Sequence, residues 1–439
     1  MALRDRLFTD GLYSFAGRIA TMVLAAALGV LTARVLGSHG RGIYVTPMVD
    51  AAIAAAAFTG LSSATSYFLL RRGAGRAVAR TALLAGAIFI AAAACGTMIL
   101  ALLGHTLWAA PAAILSLSGP AALMITTGYA IGTRRVRLNT AIAGMSTGCT
   151  LLVMLMVFGI GTRNASGAIT AWLIATNITA AGVVTWILLD SRRLPAGNAS
   201  LGEFLRYAAR SGLVGLVTLL NYRADVYIVA MLGTPTMLGM YTLAVSAAET
   251  LLATTQVTGI VTAPHVGSLA DRPAADLAAR SVRHNVLIAS VCCAALAIVA
   301  PFAVKLLYGP AFLPVVPAMR VLLIGVFALS LGGPMSNYFT IRLGRPEIPL
   351  TLASISAIIC IAASFTLIPR IGLMGAALAS TVAYIIGQSA AIIWFAFLAR
   401  VDVRTMLIPR PSDLIAYVEV ASALFARKRG ALLRSIGIL

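Results

Sequence analysis

Twelve times this chain runs for twenty or more residues with almost no charge, the length a helix needs to cross a hydrocarbon core. The runs fall at roughly 11–35, 43–70, 80–103, 107–131, 139–160, 166–189, 209–232, 236–262, 284–308, 312–341, 347–368 and 371–398. In lipid a backbone has to satisfy its own hydrogen bonds, so such runs become helices and predict an all-α, polytopic membrane protein. Composition points the same way: 60% of the residues are hydrophobic and 10% charged, against roughly 25% charged in soluble domains. Many of the 39 glycines and 17 prolines lie inside the runs, where neighbouring helices and wet cavities can satisfy interrupted backbone.

The basic residues set an expected orientation. Arg34, Arg41, Arg163, Lys305 and Arg370 fall on one set of alternate loops, and Arg18, Arg223 and Arg320 lie within spans. The other basic residues fall on the opposite loops and the two ends, which predicts both termini in the cytoplasm. The same bias explains the net charge of +20 beside an anionic inner leaflet, and no nucleic-acid partner is needed for it. No cleavable signal peptide is expected, because the first run is too long and carries arginine; it reads as a retained signal anchor. Cys95, Cys149, Cys292, Cys293 and Cys360 all lie in predicted spans without metal-ligand spacing and read as packing residues. Asn164 and Asn177 match glycosylation sequons, and both are discounted.

The chain is also duplicated. Leu36-Gly37, four residues, then Gly42-Ile43-Tyr44 joins the first two runs. Leu232-Gly233, five residues, then Gly239-Met240-Tyr241 joins the seventh and eighth, about 196 residues on. Ser166-Gly167-Ala168 and Met374-Gly375-Ala376 echo one another near the close of each half. Two similar halves of several spans each are the plan by which secondary transporters alternate access around a central site. The expected organisation is a six-helix lobe over 1–189, a linker over 190–208 and a second six-helix lobe over 209–398. A basic amphipathic tail follows over 399–439, and the lobes are pseudo-symmetric. In the linker, Ser200 and Glu203 have capping-box spacing and predict a surface helix. In the tail, Leu414, Val418, Phe425 and Ile436 stand among Arg427, Lys428, Arg429 and Arg434, as in a helix lying on a membrane surface, or a frayed basic tail.

Four stretches carry a resemblance: ARVLGSHGRGIYVTP, NYRADVYIVAMLGTPTMLGMYTLAVSAAE, LYGPAFLPVVPAMRVLLIG and LIPRIGLMGAALASTVAY. In order and spacing they resemble the multidrug/oligosaccharidyl-lipid/polysaccharide (MOP) exporter superfamily, in its polysaccharide-biosynthesis, O-antigen flippase-like branch. The resemblance implies a central cavity enclosed by the two lobes. It implies a polyprenyl-diphosphate-linked oligosaccharide as substrate, turned from the inner to the outer leaflet of a bacterial cytoplasmic membrane. Membrane lipids and a polysaccharide polymerase or export machinery are the implied partners.

The charges inside the spans suit that substrate. An ionised side chain at a helix centre costs about 2.5–3.5 kcal/mol on insertion scales, so each should face a partner or a wet cavity. Arg18 lies about 10 Å into the first span and Arg223 near mid-depth of the equivalent seventh. A guanidinium stays charged and its forked donors match phosphate oxygens, so Arg18 and Arg223 are expected to bind the diphosphate. The alternative is a packing ion pair with Asp50, Asp225 or Glu249. Arg223 and Asp225, two residues apart on a helix, project about 200° from one another, so they cannot share one narrow cleft. Asp50 and Glu249 are candidates for proton or sodium coupling, for sugar-hydroxyl contacts or for structural pairing. Asn221, Tyr222, Asn337 and Tyr338 are polar-aromatic pairs suited to sugar, with packing as the other reading for the tyrosines.

Enzyme readings find little footing. The sequence shows no Ser-His-Asp constellation, no paired metal ligands and no phosphate-binding P-loop, and calls for no cofactor. A membrane polymerase or glycosyltransferase would need a large extramembrane catalytic loop. A cation-coupled drug antiporter of the same superfamily would favour an acidic first lobe, whereas Arg18 stands there beside the single Asp50.

Overall fold

The computed structural model describes residues 2–72, 75–102, 110–197, 199–410 and Asp413. Some side chains inside helices, among them those of residues 2–12, 96–102, 110–114 and Asn221, lie outside the described residues, as does the expected amphipathic tail beyond Arg410 except for Asp413. The helices are α1 (Ala2–Arg72), α2 (Gly75–Leu102), α3 (Ala110–Gly132), α4 (Val136–Gly159), α5 (Ala165–Asp190) and α6 (Leu201–Leu232). They continue with α7 (Pro235–Ser268), α8 (Asp271–Leu307), α9 (Val315–Leu329), α10 (Gly332–Asn337), α11 (Glu347–Ala399) and α12 (Val403–Leu407). No strand occurs among the described residues.

Eight of the described helices are long and apolar enough to cross a membrane, or nine with the bent α6 counted. The difference from twelve lies mainly in helices that each hold two spans. α11 has 53 residues, which at about 1.5 Å each is about 80 Å, far beyond a core about 30 Å thick. It breaks at Ile371–Gly372, where Gly372 takes φ 57°. α1, with 71 residues, breaks at Gly37 with φ 65° and ψ −176°, a conformation glycine alone adopts at no steric cost. Eleven of the twelve expected spans fall on helix apart from end residues; the tenth, 312–341, is helical in pieces, with Ser330 and Leu331 between α9 and α10.

The linker differs from expectation. Ser200 is the N-cap of α6 but makes no side-chain capping bond, and the helix it opens runs unbroken into the seventh span. There is no separate surface helix, because the apolar side of 201–208 already has a place to pack: Phe204 and Ala208 are fully buried against Phe68 and its neighbours. Asn164, read as a weak sequon, is the N-cap of α5 and accepts from the Gly167 N–H at 2.8 Å.

Two compact units are formed. The first comprises Met1–Ser246, Ala300–Met319 and Ala357–Ser380. Its larger core gathers Phe58, Leu61, Phe68, Ile125, Tyr129 and Phe204. Small residues let its backbones approach, as lipid-embedded helices require when no hydrophobic drive holds them together. A Cβ on Gly60 would overlap the Ala208 carbonyl, and one on Gly128 the Ser62 carbonyl. The second unit comprises Ala247–Val299, Arg320–Ser356 and Thr381–Leu439. Its core centres on Met335, Tyr338, Phe339 and Phe395. Outward side chains such as Ile160, Ile298, Phe302 and Phe397 are bare in the isolated chain, as lipid-facing residues should be.

Hydroxyls in the spans mostly look after themselves. Thr65, Thr126 and Thr242 each donate to the carbonyl four residues back, so a buried threonine here needs no cavity. In the second unit the chain beyond α11 is pinned by a buried fork: Arg283 donates through Nε and Nη2 to the two oxygens of Asp413 and through Nη1 to the Thr405 carbonyl. That guanidinium, assisted by the Arg410 N–H, holds the Asp413 carboxyl below its ordinary range.

Candidate functional site

The site is built on α6. This helix bends by 70° between Leu201–Leu220 and Tyr222–Leu232, with Asn221 at the joint. Interrupted spans of this kind are where membrane carriers place substrate and ion contacts, because the bend frees backbone groups towards a cavity. Below the joint, α6 lies tightly on α1: a Cβ on Gly212 would overlap the Ala57 carbonyl, and one on Gly215 the Thr59 side chain. Glycine at these two positions holds the bend against the stretch of α1 that carries Asp50.

Beyond the joint the side chains diverge as the 200° argument requires. Tyr222 is exposed, Arg223 half-buried and Asp225 2% exposed. Asp225 turns inward, where its Oδ2 accepts from the Tyr241 hydroxyl at 2.5 Å and from the Ser380 hydroxyl at 2.6 Å, while Oδ1 accepts from the Val226 N–H. It is the structural carboxylate of the pair. The charges of Arg223 and of exposed Asp50 both act on the Tyr227 phenol, so α1 and α6 bring these three groups to one place. Tyr227 was missed from sequence, although its position four residues after Arg223 on one helix face would have found it.

Arg18 is exposed on α1 and makes no hydrogen bond or ion pair with a described residue. The remaining expected residues lie in the second unit. Asn337 donates to the Gly259 carbonyl at 2.7 Å, and Tyr338 is 3% exposed, its ring edge-on to Phe395 at 5.1 Å. Both are thus held by packing. Glu249 is half-buried on α7. Asp50 and Arg223 share Tyr227 as an electrostatic neighbour, and no contact among the described residues joins Arg18 to them. The side chain of Asn221 lies outside the described residues.

The two copies of the duplicated motif meet. A Cβ on Gly42 would overlap the Pro235 carbonyl, and one on Gly239 would overlap the Ser38 carbonyl and crowd the Gly42 N–H. His39 and Thr236 face each other at 3.3 Å across the same contact. Nearby, Arg34 donates to the carbonyls of Leu306 and Leu307, the open C-terminal end of α8. The tyrosine of each copy packs on the glycine-alanine echo of its own half: Tyr44 clusters with Ala168, and the Tyr241 hydroxyl reaches the Ala376 carbonyl at 3.4 Å.

No protein-family model and no curated protein sequence matches the chain. Solved structures do. A multidrug resistance MATE family transporter of the MOP superfamily in its inward-facing conformation is 16% identical, over 87% of this chain and 94% of that one, with a TM-score of 0.68. An outward-facing conformation of such a transporter is 14% identical over 89% and 94%, with a TM-score of 0.61. The lipid II flippase MurJ, inward closed, is 12% identical over 98% and 99%, with a TM-score of 0.68. The chain is a multi-pass, all-helical membrane protein. Its fold is that of the MOP superfamily transporters.

Proposed function

We propose that the chain is a flippase for a polyprenyl-diphosphate-linked oligosaccharide. It would carry its substrate from the inner to the outer leaflet of the cytoplasmic membrane by alternating access between lobes 1–189 and 209–398, with both termini inside. The observation that carries this reading is the bend of α6, beyond which stand exposed Tyr222 and Arg223, with Arg223 and Asp50 both within electrostatic range of Tyr227. Arg18, exposed and without an ion-pair partner among the described residues, supplies a second guanidinium. Forked cations suit a diphosphate, and an exposed aromatic ring suits a sugar face. Tyr338 and Asn337, taken up by packing, are left out of the proposed contacts. Asp50 and Glu249 are the residues proposed for ion coupling, and a polysaccharide polymerase for partner. The similarity to MurJ over nearly the whole chain supports the reading. So does the absence from the sequence of a catalytic constellation, which fits a carrier that is not an enzyme.

The test is lipid extraction from a strain lacking the gene. A polyprenyl-diphosphate glycan should accumulate on the inner leaflet and clear with the wild type but not with Arg18→Ala/Arg223→Ala. Clearance by a double variant that inserts normally would remove the arginines from the site. The similarity to MATE transporters favours a second reading, a cation-coupled drug antiporter. No lipid accumulation together with new sensitivity to cationic dyes would select it.

A further inference from the structure

Arg41 stands in the first motif copy, three residues before Tyr44, and is 7% exposed. Burying a guanidinium costs several kcal/mol unless a counter-charge and hydrogen bonds compensate. Here the compensation is incomplete. Nη1 donates to the Gly29 carbonyl at 3.2 Å, and Nε, out of solvent reach, donates to nothing. Two phenols, Tyr44 and Tyr308, lie within electrostatic range, and among the described residues no carboxylate does. Neither phenol has a hydrogen-bond acceptor among the described residues. The surroundings are therefore a cation and two hydroxyl donors with a single backbone carbonyl between them.

The second repeat shows what is missing. Its motif tyrosine, Tyr241, is buried beside Asp225, whose carboxylate accepts from the tyrosine and from Ser380. Counting back by the spacing of the two tyrosines, the first-repeat position matching Asp225 falls at Leu28–Gly29, where no side chain can accept. One half contains its own anion; the other contains donors without one.

We propose that the first repeat holds a small monovalent anion of halide size, chloride under ordinary conditions, between Arg41, Tyr44 and Tyr308. The buried setting suits a dehydrated single ion. This site is separate from Arg18 and Arg223, and it does not depend on which substrate the chain carries.

The probe is chloride itself. The purified full chain in detergent is melted at fixed ionic strength while sodium gluconate is replaced by sodium chloride, then by sodium bromide. The wild type should show a saturable rise in midpoint of about 2 °C or more with either halide. Tyr44→Phe should raise the half-saturating chloride concentration about 2–10-fold, the loss of one hydrogen bond to a charge. Arg41→Leu should abolish the response, while Arg370→Leu, at an exposed position of α11, should keep it. A wild type indifferent to halide overturns the proposal even if Arg41→Leu does not fold. So does a halide response that Tyr44→Phe leaves unchanged.

Discussion

The surroundings of Tyr44 and Tyr241 are one design executed twice with opposite charge. Each tyrosine ends a helical Gly-x-Tyr sequence, lies buried, and packs on the glycine-alanine echo of its own half. Beside Tyr241 the buried charge is Asp225, which accepts from two hydroxyls and a backbone N–H. Beside Tyr44 it is Arg41, with one long bond to a carbonyl. Duplication preserved the packing and let the electrostatics diverge. A buried carboxylate surrounded by donors is self-contained, whereas a buried guanidinium surrounded by donors is open to something from outside.

The largest expected break of this comparison is Asp225→Ala. It strands the Tyr241 and Ser380 hydroxyls without their acceptor in the protein interior, at about 1–3 kcal/mol each. Thermal melting of the detergent-purified variant should show a loss of about 3–5 kcal/mol, and Arg41→Leu in chloride-free buffer should lose clearly less. Equal losses would mean that Arg41 is as well satisfied as Asp225.

Next come the glycines where the two copies touch. Gly42→Ala and Gly239→Ala each force a methyl into a facing backbone carbonyl, an overpacking worth about 1–3 kcal/mol. Gly29→Ala, with nothing within reach of its Cβ, should show only the small helix-propensity gain. If Gly42→Ala melts like Gly29→Ala, the contact between the copies is not made in solution.

A finer discrimination is Tyr241→Phe against Tyr44→Phe. The first removes a hydrogen bond to a carboxylate and should cost about 1.5–3 kcal/mol. The second, in gluconate, removes a hydroxyl without an acceptor and should cost under about 0.5 kcal/mol.

The smallest effect uses a buried pair in which the chain supplies both charges, Arg283 and Asp413. The folded-state pKa of Asp413 is lowered, so its contribution to stability is present above its unfolded value, about 3.9, and is lost as pH falls through the folded value. Melting between pH 5 and 2 should show a limb of acid destabilisation that is weaker in Asp413→Asn, beyond an offset common to every pH.

Most of the fold was legible in the sequence because lipid allows so few solutions: a long apolar run has to be helical, and the twelve expected runs are so over most of their length. The duplication was legible too, from the glycines and tyrosines of its motif. The pairing of Asp225 was only half legible. Its two-residue offset from Arg223 required the two to diverge, but the partner hydroxyl of Ser380 lies 155 residues on, and no local pattern reports it. For Tyr338 the sequence left both sugar contact and packing open; the positions of Phe339 and Phe395 favour packing. Arg41, read as a loop arginine, lies on helix just beyond the kink at Gly37 and is buried.

The meeting of Gly42 and Gly239 has a consequence for heredity. Duplicated segments usually drift apart, since a change in one copy leaves the other untouched. Here each copy is part of the surface the other must fit. A side chain gained at Gly42 has to be answered near Pro235, and one gained at Gly239 near Ser38. Among related chains the two motifs should therefore vary as a couple rather than singly, a bond of descent imposed by the space of one missing methyl group.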